Sequence, residues 1–288
     1  MVKLKALSVA LLGTMSAAFA APGIESAAAV SFTETESINF NRDHNGKKLK
    51  TGTGQIIDGA GLFKNNGLKL GVRTKEGNNN LLLFNSNCEG KLSKGGTCTG
   101  DDDDLATGAT YGTKNQKNVL IIQENLKDKN GNDKNSIFDP DDKVKGTFIF
   151  DFTDKSGVLF KNIGLLDLDE THIPTFTFFY TDGTSKLLQE SDYKVAIKND
   201  MSQITDEDVK KDVEKGENSL RNYTFNKFNT NVAKLEMWIP GSGAVTNLKY
   251  KRKVPEPTSA LALIGGVVVA GRFLKRKNSE VKKLEKLL

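Results

Sequence analysis

Between residues 55 and 250 the apolar positions come in short runs separated by Gly, Asn and Asp, with almost no helical period. Phe148, Phe150 and Phe152 alternate with Ile149 and Asp151, the period-2 pattern of a half-buried strand. Val119 to Glu124 reads as a strand buried on both faces. Gln55 to Phe63 and Leu68 to Thr74 flank Asn65-Asn66-Gly67, a tight-turn sequence. Further strands are expected at Leu81 to Asn85, Val158 to Asp169, Thr175 to Tyr180, Tyr223 to Phe228, Ala233 to Ile239 and Ala244 to Tyr250. Asp182-Gly183 should turn the chain into another at Ser185 to Gln189, and Ser31-Phe32 with Ile38-Asn39-Phe40 offers first-strand material. The total is about ten or eleven strands. Residues 86–117 and 127–142 read as long polar loops.

One segment has helical logic. Thr205-Asp206-Glu207-Asp208 supplies a cap and first-turn acids, Ile204, Val209 and Val213 share a face, and Gly216 stops the helix. The expected fold is all-β, an antiparallel β-sandwich of jelly-roll-like form with one short inserted helix.

The two ends differ from this body. Lys3 and Lys5 precede an apolar stretch from Ala6 to Met15, and Ala18-Phe19-Ala20 follows. That order predicts a signal peptide over 1–20, cut after Ala20 by signal peptidase. At the other end, 251–257 is a linker with Pro255-Glu256-Pro257, a stiff segment because each proline fixes φ and lacks an N–H donor. Thr258 to Leu274 then gives 17 residues interrupted in charge only by Arg272. Helices cross a bilayer with roughly 17–25 residues, so 258–274 is expected to span one. The basic residues Arg272, Lys275, Arg276 and Lys277 predict a cytoplasmic tail over 275–288 and an ectodomain over 21–250 on the far side.

Charge sharpens this division. The whole chain is +5, yet 21–250 holds 29 Lys/Arg against 33 Asp/Glu. The basic balance therefore belongs to the ends, and it gives no reason to expect a nucleic-acid partner.

Pro255-Glu256-Pro257, the short apolar span and the basic end together resemble the PEP-CTERM sorting signal of bacterial surface proteins. The likeness covers about the last 35 residues, and the chain departs from the pattern by running on from Asn278 to Leu288. It implies export, a membrane stage, and processing by an exosortase, often in bacteria that make an exopolysaccharide matrix. A weaker likeness spans roughly 55–250. Val119 to Glu124, Gly164 to Glu170, Gly241 to Leu248 and the Asp-rich stretch ending Asp103-Asp104-Leu105 look like strands and a loop of β-sandwich ectodomains found upstream of such tails. It implies a surface module that contacts extracellular polysaccharide, and it transfers no catalytic residue.

Little in the body carries chemistry. The chain has two histidines, His44 and His172, and no Gly-x-Ser-x-Gly elbow. Asp151, Asp167, Asp169 and Glu170 lie on or beside expected strands, and alternation would put Asp167 and Asp169 on one face. Acids are too numerous here for that coincidence to indicate a glycosidase, so the protein is read as non-enzymatic. Cys88 and Cys98 would close a Gly/Ser-rich loop as a disulfide in an oxidising compartment, with a reduced structural pair as the alternative. Asp101, Asp102, Asp103 and Asp104, with Asp139, Asp141 and Asp142, leave two readings: a solvated acidic surface, or an irregular site for calcium. Trp238, the sole tryptophan, is expected in the core between Met237 and Ile239, and Tyr111 is expected to be exposed in the long loop.

The function expected from sequence is an exported cell-surface or matrix protein, handled by exosortase, whose ectodomain binds or builds. A carbohydrate-binding or weakly carbohydrate-active surface protein is the alternative.

Overall fold

A computed structural model describes residues 30–49, 57, 61–75, 80–87, 105–123, 145–168 and 173–255. Val30–Val254 forms one compact unit. Its twelve strands are β1 (Val30–Ile38), β2 (Leu68–Thr74), β3 (Leu81–Asn85), β4 (Asn118–Ile122), β5 (Gly146–Phe152), β6 (Val158–Leu166), β7 (Thr175–Tyr180), β8 (Ser185–Leu187), β9 (Tyr193–Ile197), β10 (Leu220–Phe225), β11 (Val232–Ile239) and β12 (Ala244–Pro255). The α-helix described is α1 (Glu207–Lys215), between β9 and β10.

The strands join in one sheet, ordered β2-β5-β11-β6-β12-β4-β3. From this path β7 and β8 branch off β11, β10 and β9 branch off β6, and β1 pairs with β12. The link between the β5–β11–β7 half and the β10–β6–β12 half is a single pair, Val232 with Val158. A narrow hinge of this kind lets one antiparallel sheet fold back on itself, nearly closing as a barrel.

The two halves face each other across an aromatic core. Phe160 on β6 lies 5.9 Å from Phe152 on β5, 5.7 Å from Phe178 on β7 and 5.5 Å from Phe225 on β10, between ring centroids. Phe176 on β7 meets Tyr223 at 5.2 Å and Phe225 at 5.1 Å. Phe148, Phe150 and Phe152 all point inward, as the alternation in β5 demands. Large aromatic rings at these separations each bury on the order of 150–250 Å², and aliphatic side chains such as Leu165, Leu235 and Leu248 fill the space between them.

β3 and β4 are buried on both faces. Leu81, Leu83, Leu120 and Ile122 belong to the main core, while Leu82, Phe84, Val119 and Ile121 form a second cluster with Leu105, Leu166, Leu220 and Ala244. This second cluster corrects the reading of 86–117 as a polar loop. Over its described second half the chain carries Leu105, Ala106 and Tyr111 inward. Tyr111 is 3% exposed, not the exposed aromatic expected, because it packs with Ala106 and Val209 of α1.

Helix α1 forms where the sequence placed it. Its cap is Asp206, whose carboxylate accepts from the N–H groups of Asp208 and Val209, and Gly216 closes it at φ +116°. Gly183 at φ +85° makes the turn between β7 and β8, with its N–H donating to Tyr180 O. Two further expectations are corrected. Leu62 and Phe63 lie in a turn before the 3-10 segment Lys64–Asn66 rather than in a strand, and Gly67 caps that segment at φ +73°. β9 was not foreseen.

Candidate functional site

Most residues singled out from sequence lie outside the described residues. These are Glu256 and Pro257, Arg272, Lys275, Arg276 and Lys277, Cys88 and Cys98, Asp101 to Asp104, and Asp139, Asp141 and Asp142. The expected signal peptide over 1–20 and the apolar run 258–274 lie outside them too. Pro255 is described, as the last residue of β12. Among the described residues no helix is long and apolar enough to cross a membrane, there is no disulfide, and no three His, Cys, Asp or Glu groups converge as a metal site.

Of the carboxylates considered for glycoside chemistry, Asp151 and Asp167 are described and stand apart, while Asp169 and Glu170 lie outside the described residues. β6 ends at Leu166, and Asp167 adopts a left-handed backbone at φ +59°, so the expected alternation through Asp167 and Leu168 does not exist. Asp167 is 1% exposed; its Oδ2 accepts from Ser242 Oγ at 2.6 Å and its Oδ1 from Asn218 N–H at 3.3 Å. It ties the ends of β6 and β11 to the segment before β10. Asp151 stands on the opposite, outer surface beside Lys69 and Lys234. His44 is a local clasp, its Nδ1 2.9 Å from Leu62 O.

What the fold does assemble is the outer face of β2, β5, β11 and β7. In β11 Leu235, Met237 and Ile239 are buried, so Lys234, Glu236 and Trp238 face out. Trp238 is 40% exposed, correcting its expected core placement. The register sets Thr147 opposite both Arg73 and Trp238, with Thr175 on the far side of the indole. One row therefore reads Arg73, Thr147, Trp238, Thr175.

Beside it, Glu236 anchors the charges. Arg73 Nη2 donates to Glu236 Oε2 at 2.6 Å, and Lys234 Nζ donates to Oε1 at 2.7 Å. Lys234 also sits 3.8 Å above the Phe179 ring. Partial burial pushes the Glu236 carboxyl up, but hydrogen bonds from Arg73 and Lys234 outweigh it and hold the group below the usual range. Arg73 is 59% exposed, so its pair with Glu236 contributes at most about 1 kcal/mol. Its value lies in fixing the guanidinium. Around this corner opens a shallow pocket of about 430 Å³, lined by Arg73, Thr74, Lys75, Lys145, Thr147 and Trp238.

A second depression, of about 470 Å³, lies between the β7–β8 turn and the segment joining β10 to β11. Phe228 stands there 47% exposed at φ +55°, its carbonyl accepting from Tyr180 OH at 2.9 Å. Lys186 Nζ lies 4.1 Å from the Phe228 ring centre, so that ring face already holds a cation. Asp182 is drawn below the usual carboxylate range by the Thr184 hydroxyl and N–H. Its groups are thus mostly satisfied by one another.

Sequence reading did not single out Arg73, Lys75 and Lys145. Lys145 is far in the chain from Arg73 and Lys75, and the three meet only once β2 and β5 pair. No family model, curated protein or solved structure matches the chain.

Proposed function

We propose that this is an exported cell-surface or extracellular-matrix protein, delivered through a C-terminal sorting tail that an exosortase processes. The observation that carries the reading is the order Pro255-Glu256-Pro257, an apolar run over 258–274, and the basic group Arg272, Lys275, Arg276 and Lys277. The signal-peptide pattern over 1–20 supports it from the other end. So does the division of the chain, since Val30–Val254 forms one compact β-unit whose last strand, β12, ends at Pro255. A protease or sorting enzyme working at the membrane needs an extended substrate, which Pro-Glu-Pro supplies.

The ectodomain, a sandwich of jelly-roll-like form, serves as a non-catalytic binding or structural module. Satisfied Asp167 and the outward, lysine-flanked Asp151 support that reading over hydrolysis. The exposed Trp238 among threonines and cations favours binding, and with it the carbohydrate reading, over a purely structural role.

The test is to replace Pro255, Glu256 and Pro257 together with alanine in the native host. The altered protein should remain in the membrane fraction at its unprocessed size while the parent protein reaches the surface. Equal surface delivery and equal size for both would overturn the proposal.

A further inference from the structure

We propose that the Trp238 corner of the outer sheet face binds an acidic polysaccharide, one whose sugar rings carry carboxylates. This names a ligand class for the binding module proposed above, and it rests on that module binding rather than on its route of export.

Three observations converge. The first is an indole kept open. Trp238 is 40% exposed in a strand whose neighbouring side chains, Met237 and Ile239, are 0% and 2% exposed. The C–H face of a pyranose packs well on the electron-rich face of such a ring. The second is charge. Lys75 directly follows β2 and Lys145 directly precedes β5, and both line the same pocket as Arg73, Thr147 and Trp238. Among the described residues, Lys69, Arg73, Lys75, Lys145 and Lys234 stand there against Asp151 and Glu236, in a body where acids outnumber bases by 33 to 29 over 21–250. Glu236 occupies Arg73 and Lys234, whereas Lys75 and Lys145 are exposed and have no carboxylate partner among the described residues. Two exposed ammonium groups beside an aromatic platform suit a carboxylate held on a ring. The third is hydroxyl supply. Thr147 lies between Arg73 and Trp238 and lines the pocket, and exposed Thr175 flanks the indole on its far side.

The same features argue against a polyphosphate chain. Nucleic acid is gripped through many phosphates along a basic track, and here the cationic area is one corner of an acidic domain.

Because Trp238 is the one tryptophan in the chain, emission from the full-length protein in mild detergent reports on this corner alone. The probe is a short galacturonate oligomer, titrated with a chelator present so that divalent cations bridge nothing. We expect a saturable change in emission that weakens as salt is raised. Lys75→Gln with Lys145→Gln should weaken binding about ten-fold or more, the loss of one to two charge-assisted contacts. Both lysines are exposed, so this variant keeps the fold. By calorimetry, Trp238→Phe should stay within about five-fold of the parent, and Trp238→Ala should lose about ten-fold or more. The proposal is overturned by the absence of any saturable signal, or by unchanged affinity in the double lysine variant. It is also overturned if a neutral glucose oligomer of equal length binds as tightly, or if oligothymidylate binds more tightly. None of these outcomes touches the export reading, which membrane fractionation decides.

Discussion

Asn229 holds the most informative single position in the fold. It is 8% exposed, and its Nδ2 donates to Phe160 O at 2.9 Å and to Phe225 O at 2.8 Å. Its own carbonyl accepts from Phe160 N at 2.8 Å, so one side chain and one peptide group clamp β6 to the exit of β10. Asn229→Ala removes two donors and leaves two carbonyls short. At about 0.5–1.5 kcal/mol per bond, the cost should be roughly 1–3 kcal/mol. For a domain of this size that is a melting shift on the order of 2–12 °C. Asn229→Asp keeps the shape but turns the donor into an acceptor facing the same two carbonyl oxygens. An ionised, unpaired carboxylate there should cost about 3–5 kcal/mol. Its folded-state pKa must then rise above the unfolded value of about 3.9. A group raised in this way leaves stability intact below the unfolded pKa and loses it as pH climbs through the folded one. Urea unfolding followed by circular dichroism at several values between about pH 4 and pH 7 measures this. The Asp variant should match or exceed Ala at the acid end and fall below it at neutral pH. An Asp variant as stable as Ala at pH 7, or a gap between them that ignores pH, would refute the clamp.

Two further predictions use the same assay. Tyr250 OH donates to Asn66 O at 2.8 Å from a buried ring, and burial pushes its phenol far up from the ordinary value. Tyr250→Phe should therefore cost about 0.5–1.5 kcal/mol with no rearrangement, and an unchanged midpoint would show the bond to be worthless. Glu236 is held below its usual range, so it adds stability above its unfolded pKa near 4.3 that is lost as pH falls through the lower folded value. Glu236→Gln should flatten that acid-side slope by at most about 1 kcal/mol, and an unaltered slope would contradict the assignment.

Much of the fold was legible from residue patterns. The alternation at Phe148, Phe150 and Phe152 and the cap and stop of α1 translate directly into the observed elements, because both depend on local geometry. Tyr193 to Ile197 escaped notice because its burial is slight and it is strand only through pairing with β10. Tyr111 and Trp238 exchanged their expected surroundings for one reason. Burial in a sheet protein depends on what covers a face, and Tyr111 is covered by Val209 from about a hundred residues downstream. Alternation set Trp238 opposite Met237 and Ile239, but not which side was the core. The Arg73, Lys75 and Lys145 corner was hidden for a related reason, since it exists only once β2, β5 and β11 take their register. The proposed sorting tail is the opposite case. Its evidence is linear order in the chain, and its residues from Glu256 onward lie outside those the structure describes.

The most direct test of the central proposal is the intact mass of the protein taken from the surface of its native host. The account predicts loss of residues 1–20 and of a C-terminal piece beginning near Pro255, with any added mass reporting attached glycan or lipid. A mass that keeps every residue through Leu288 would contradict it, and would leave a membrane-anchored β-domain in place of a sorted one.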